Sequence, residues 1–381
     1  VITSQTVVFA CLFILVTAGS SVPVAANDGE ESQPLQVEID FDGLERAGVL
    51  GAVLSVSVKG KKPLTGEYGF ANIKRTEDVT EHHLFQIGSQ TKMFTAAALL
   101  LLQRQGVLDL DDLVATYVDG IPRATELTIR HLLLHTGGIG DSVTYFDPPL
   151  GIRPDFEVTF DNHLFLGRVA GERFTPGERW EYNNLGFIIL GEVIESASGV
   201  SLDRFIRNSV LQPLEMHDTY VGNLEDYPEK RMARGYFNDK RRGELVDTAM
   251  LNLSWASSAG DMVSSLRDMR KWAQVLLDDD NAIGLSLGDF LAESVPVSDY
   301  GNLQRYGLGM MGRDVRGQLL WDHGGFIHGY VTLTLVDPSS GIIIQVMTNL
   351  EGESEEIIPA IENLVADLLE SVQLASADVL R

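Results

Sequence analysis

Over residues 330–336 the chain alternates: Val331, Leu333 and Leu335 are apolar, and Thr332 and Thr334 fall between them. A period of two puts the two sets on opposite faces, so a strand is predicted here. Asp337-Pro338-Ser339-Ser340-Gly341 turns the chain, and the apolar run 342–347 is the predicted return strand. Near the other end, residues 52–59 and 64–71 flank Gly60-Lys61-Lys62-Pro63, which predicts a second hairpin.

Residues 89–105 follow another rule. They are rich in Ala and Leu, hold no Gly or Pro, and stop at Gly106. Met93, Phe94, Ala96–Ala98 and Leu99–Leu102 leave almost no polar face, and a helix apolar all round belongs in the centre of a protein. Further helices are predicted at 128–135, 185–196 and 201–211, with an amphipathic one at 357–369 closing the chain. Strands at both ends and helices between predict one antiparallel sheet flanked by helices, with an inserted all-helical region, in the α/β (α+β) class. The sheet part is expected at about 37–80 and 240–381, and the helical part at about 81–239.

The first 26 residues carry no charge. An apolar run at 7–16 and the small residues Val24-Ala25-Ala26 are expected to form a signal peptide cut after Ala26, which implies a secreted or periplasmic protein. The run is short of the ~20 residues that span a bilayer, so no stable membrane insertion is expected after cleavage. No Met opens the chain and no Lys or Arg precedes the run. That leaves an upstream start or a fragment open, with an uncleaved anchor as the alternative. Residues 27–36 are polar and acidic, the composition of a flexible leader. Cys11 is the only cysteine, so a chain cut after Ala26 has no thiol chemistry and no disulfide.

The 381 residues, 44% hydrophobic, are enough for a large core. Fifty-four acidic against 29 basic residues give a net charge of −25, which argues against nucleic acid as a partner. The acidity is otherwise read as solubility.

Candidate chemistry lies in three places. Ser89-Gln90-Thr91-Lys92 opens the buried helix, where a three-residue step puts hydroxyl and amine on one face. A lysine serves as base only when burial or positive neighbours lower its pKa, and the apolar helix supplies the burial. The pattern alone is weak, because a Ser N-cap before a solvated Lys reads the same. Tyr182-Asn183-Asn184 supplies a hydroxyl that can relay a proton and an amide that can hold a substrate. His323-Gly324-Gly325 enters the 330–336 strand, and its glycines let a substrate approach the backbone.

These three motifs, in this order, resemble the S-x-x-K, Y-x-N and K-T-G or H-x-G motifs of the serine β-lactamase and penicillin-binding superfamily. The branch is that of class C β-lactamases, DD-carboxypeptidases, D-aminopeptidases and related esterases. Residues 85–88, 130–138 and 258–262 match as well, and the likeness runs from about 52 to 349. The resemblance implies a helical domain packed on an α/β domain, with the site between them. It implies acylation of Ser89, proton shuttling by Lys92 and Tyr182, and an oxyanion hole from the backbone N–H groups of Ser89 and Phe326. It implies substrate contacts from Asn184, His323, Gly324 and Gly325, a small-molecule, peptide or ester substrate, and neither cofactor nor metal. Two departures concern charge: His323 stands where many β-lactamases have Lys, and Gly324 where a hydroxyl is common. With an ordinary pKa of about 6.5, His323 is expected to be neutral at pH 7.5 and cationic near pH 5.5. Glu215 stands where a Gly is usual.

Other features have plainer readings. Gly284-Leu285-Ser286-Leu287-Gly288 matches a nucleophile elbow, but an acidic loop precedes it where a strand is required. His131 and His135 have the spacing of zinc ligands but read as structural, and His82-His83 as surface. Phe326 and His328 are candidates for shaping substrate choice. The expected function is hydrolysis of amide, peptide or ester bonds through acyl-Ser89, as in a DD-peptidase, D-aminopeptidase or β-lactamase. The alternatives are a β-lactamase-like carboxylesterase, an elbow esterase using Ser286, and a non-turnover binder of cell-wall fragments.

Overall fold

The computed structural model describes residue 35 and residues 37–378, apart from 60, 147–156, 240–242, 299 and 352–353. The expected signal segment 1–26 lies outside these residues. Of the expected leader 27–36, only Leu35 is described, and it is buried.

Eight strands form the main sheet: β1 (Gly51–Val58), β2 (Leu64–Gly69), β3 (Ser294–Pro296), β4 (Leu303–Gly307), β5 (Met311–Val315), β6 (Gln318–Ile327), β7 (Tyr330–Asp337) and β8 (Ile342–Thr348). Their order is β2-β1-β8-β7-β6-β5-β4-β3, and every neighbouring pair is antiparallel. The β1–β2 hairpin starts in the sheet, the chain leaves, and it re-enters at the far edge. It then walks back until β8 pairs with β1, Val53 opposite Met347. The sheet is therefore closed by the two ends of the chain, as the strand patterns at both ends predict.

Alternation along β1 divides the core. Ala52, Leu54 and Val56 face one way, with Ile344 and Val346 of β8 and the closing helix α4 (Ser354–Asp378). Val53 and Met347 face the other way, in the larger core with three more helices: α1 (Thr91–Arg104), α2 (Asn184–Ser198) and α3 (Leu266–Leu277). All of Thr91–Leu102 is buried, which is why α1 shows no polar face. Ser89 itself stands just ahead of α1, in the 3-10 turn Gly88–Gln90.

Gln90 fixes that turn to the sheet. Its Nε2 donates to Thr332 Oγ1 (2.7 Å), and its Oε1 accepts from Thr334 Oγ1 (2.7 Å). Thr332 Oγ1 in turn donates to the Ile87 carbonyl (3.0 Å). The polar members of the 330–336 alternation are thus spent on a buried network that seats the Ser89 turn, since buried polar groups need partners. His83, expected at the surface, is buried: Nδ1 accepts from the Thr80 amide, and Nε2 lies 3.3 Å from the Glu77 carboxylate.

Glu215 has φ +56°, in the left-handed region where a Cβ is costly, which accounts for the usual Gly at that place. Glu215→Gly is expected to raise stability by roughly 0.5–1 kcal/mol. The denaturant midpoint checks this, and a fall would mean that Glu215 makes a compensating contact.

Candidate active site

Ser89 is partly exposed, and two polar side chains converge on it. Lys92, fully buried, places Nζ 3.1 Å from Ser89 Oγ, and the Tyr182 hydroxyl hydrogen-bonds to Ser89. Lys92 Nζ also donates to Asn184 Oδ1 (2.8 Å) and to the Ala259 carbonyl (2.8 Å). A neutral amine has two N–H bonds and one lone pair. With both N–H bonds held by carbonyl oxygens, the lone pair is left for the Ser89 proton. Burial pushes the Lys92 ammonium down to about 7, with Asp141 opposing the shift. Burial raises the Tyr182 hydroxyl far above its ordinary value, so it remains a proton donor at neutral pH.

Gly325 and Gly88 bring the third motif to this turn. A Cβ on Gly325 would lie 1.9 Å from the Ile87 carbonyl oxygen, and one on Gly88 2.9 Å from the Phe326 nitrogen. The end of β6 and the Ser89 turn therefore meet backbone to backbone, an approach that only glycine allows. Past Asp322 no β5 residue pairs with β6, so Gly324–Ile327 forms a free edge on that side, beside Ser89.

The cavity over Ser89 has a volume of about 620 Å³, and Tyr182, Asn184, Gly324, Gly325 and Phe326 line it. Phe326 is 45% exposed. His328 is buried against Trp255, with ring centroids 5.2 Å apart. One cavity wall is thus aromatic. Arg313 also reaches the cavity, but the buried carboxylate of Asp322 balances its charge.

His323 differs from expectation. Its ring is fully buried, with Nε2 3.3 Å from the Tyr306 hydroxyl and Nδ1 2.7 Å from the Gly324 carbonyl oxygen. Burial, then the Lys92 charge, pushes it down to about 3, so it does not become cationic near pH 5.5. The ring is packed against Tyr306 on the Lys92 side of β6, and only Gly324 and Gly325 of this motif line the cavity.

The zinc-spaced pair has other work. His131 and Thr128 cap the helix Ile129–Leu133 reciprocally. His135 Nδ1 accepts from the Asn183 amide (3.2 Å), and its ring packs against Tyr182, centroids 4.4 Å apart. Ser286 caps the short helix Leu287–Leu291 in a box with Asp289, and loop residues precede it, so it is no elbow. Two contributors have no sequence signal of their own, Asp141 and Trp255, and the matched stretch 258–262 does not show that the Ala259 carbonyl meets Lys92.

Two pH readouts follow. Acylation is expected to rise as pH increases through about 7, because Lys92 must shed its proton to act as base. The kcat/KM ratio for a matched acid and methyl-ester substrate is expected to stay level between pH 7.5 and 5.5, because His323 remains neutral and Lys92 protonation slows both substrates alike. A ratio that swings towards the acid as pH falls would show that His323 titrates in the cleft.

The Beta-lactamase family matches residues 38–366. Penicillin-binding protein 4* of Bacillus subtilis is 28% identical over 319 residues, covering 78% of this chain and 68% of that protein. Protein flp of Staphylococcus aureus is 25% identical over 331 residues, and the chain spans 64% of its length. Among solved structures, D-amino acid amidase from Ochrobactrum anthropi SV3, complexed with L-phenylalanine, superposes with a TM-score of 0.79 at 29% identity. That match covers 88% of this chain and 96% of the amidase. A D-stereospecific amidohydrolase from Streptomyces sp. gives 0.71 at 29% identity, over 84% and 98% of the two chains. With the site geometry and a family match over most of its length, this chain belongs to the beta-lactamase family.

Proposed function

We propose that the protein is an exported acyl-serine hydrolase of amide or ester bonds, acting on substrates without a free carboxylate, such as amides or esters of D-amino acids. The carrying observation is Ser89 Oγ, 3.1 Å from a buried lysine amine whose two other contacts are carbonyl oxygens. In this reading Lys92 takes the Ser89 proton, and Ser89 attacks the substrate carbonyl. The backbone N–H groups of Ser89 and Phe326 receive the oxyanion, and Tyr182 passes a proton to the leaving group. Water then releases the acyl group along the same route. Asn184 and the β6 edge hold the substrate backbone, while Trp255 and Phe326 offer the acyl side chain an apolar wall. The similarity to two D-stereospecific amide hydrolases supports the amide class. The neutrality of His323 supports substrates that lack a free carboxylate.

Intact-protein mass spectrometry after exposure to a D-phenylalanine ester, a D-phenylalanine amide and a penicillin tests the reading. An acyl mass is expected on the parent, with turnover of the ester and amide, and none on Ser89→Ala. Ser286→Ala is expected to behave as the parent. A label that survives Ser89→Ala would end the acyl-serine reading. Retained label without turnover of any probe would favour the non-turnover binder.

Export rests on the uncharged apolar leader. Expressed with an intact start in a bacterial host, the mature protein is expected outside the cytoplasm with Asn27 first. N-terminal sequencing checks this, and an uncut chain in the membrane fraction would replace secretion with anchoring.

A further inference from the structure

Asp141 lies outside the three motifs, yet four donors meet its carboxylate. Oδ2 accepts from the backbone N–H of Asn184 (3.0 Å) and from Asn184 Nδ2 (3.0 Å). Oδ1 accepts from the N–H groups of Val143 (3.0 Å) and Leu185 (3.3 Å). Asn184 and Leu185 are the first residues of α2, whose opening N–H groups have no partner within the helix. A carboxylate there satisfies them and complements the helix dipole.

The consequence lies on the other side of the Asn184 amide. An asparagine side chain offers an oxygen at one end and N–H donors at the other, and the two ends are nearly equal in shape. With Nδ2 held by Asp141, Oδ1 must face Lys92, and it lies 2.8 Å from Nζ. Were the amide reversed, its N–H would claim the lone pair of a neutral Lys92, and that pair would turn away from Ser89. The Ala259 carbonyl cannot reverse, because it belongs to the backbone. Asn184 is therefore the one contact of Lys92 whose polarity something else must fix.

We propose that Asp141 is a positioning residue that locks the Asn184 amide, so that the free electron pair of Lys92 faces Ser89. The proposal rests on the acyl-serine reading above. Asp141 also carries the negative charge that raises the Lys92 pKa against burial. The other titratable groups facing Lys92 are Tyr182, His135 after the Ile129–Leu133 helix, and His323 on β6. Burial keeps both histidines neutral and the tyrosine protonated. His163, which also feels Asp141, is held below its ordinary value by burial. Loss of the Asp141 charge would push Lys92 lower still and leave the charge of these neighbours unchanged near neutral pH.

The test is the first-turnover release of p-nitrophenolate from p-nitrophenyl acetate, followed from about pH 5 to 9. Asp141→Asn is expected to lower the plateau rate by about 10–100-fold through misorientation. It is also expected to move the acid limb to lower pH. Asp141→Ser, whose hydroxyl can still cap α2, should change both in the same direction. On an Asn184→Ala background, Asp141→Asn should no longer lower the plateau beyond about 2-fold, while the limb shift persists. A merely structural role would lower the unfolding midpoint and leave the limb in place. An unchanged limb and plateau in both Asp141 variants would overturn the proposal, as would a plateau loss undiminished on the Asn184→Ala background. The parent supplies a measurement that no folding defect can obscure. Its Asn184 Nδ2 protons, assigned by their absence in Asn184→Ala, should exchange slowly with solvent, and exchange at the rate of a free side-chain amide would refute the lock. Ser89→Ala is the control: parent-like release from it would overturn the acyl-serine reading itself, and the proposal with it.

Discussion

The structure turns on keeping one amine uncharged in the middle of a protein. Taking an ammonium out of water costs several kcal/mol, and the charge is shed when the cost is high enough. Lys92 has no exposure, and it sits on a helix whose first twelve residues are all buried. The apolar face that would make α1 insoluble alone also lowers the pKa of its lysine to about 7. The same burial keeps the neighbouring His135 and His323 neutral, so no fixed positive charge crowds the amine. A cationic residue in place of His323 would lie in the Coulomb field of Lys92 and lower its pKa further.

A second constraint follows from the first. A base buried on a rigid helix serves only a nucleophile held as rigidly, and Ser89 lies on a short turn outside that helix. The turn is seated by Gln90 on Thr332 and Thr334 and by the Ile87 carbonyl on Thr332, all side chains of β7. The Met262 carbonyl and amide add further ties, to the Ile87 amide and to Thr91 Oγ1. Gly325 then lets the end of β6 lie against the turn. Ser89, the sheet edge and Lys92 are thus parts of one hydrogen-bonded block, the preorganisation that the proposed acyl transfer requires.

The surroundings set what such a block accepts. Its cavity carries an aromatic side at Trp255 and Phe326, and the two guanidinium groups that line it are both paired, Arg313 with Asp322 and Arg316 with Asp367 and Glu370. Against a net charge of −25 for the whole chain, a balanced cleft does little to gather anionic substrates. Uncharged esters and amides meet no such penalty.

Much of this was legible in the chain before any coordinates. Period-two and helical patterns place the hairpins, α1, α2 and the closing helix, because periodicity reports which face is buried. The Ser89-x-x-Lys92 spacing places two groups on one helical face, because helix geometry is local. The expectation failed for His323, read as a titrating group in the cleft, because nothing in His-Gly-Gly tells that Tyr306, from another strand, will cover its ring. His83 failed likewise, since a polar pair looks exposed unless its partners Thr80 and Glu77 are seen. Asp141, and the contact of the Ala259 carbonyl with Lys92, were invisible for a further reason. Ala259 lies 167 residues from Lys92, and Asn184 lies 92. The sequence alone determined that a serine stands one turn ahead of a lysine at the start of a buried helix and that a sheet is built from both ends. Only the tertiary structure decided which way the lysine's lone pair points, because that depends on acceptors that folding brings from far along the chain.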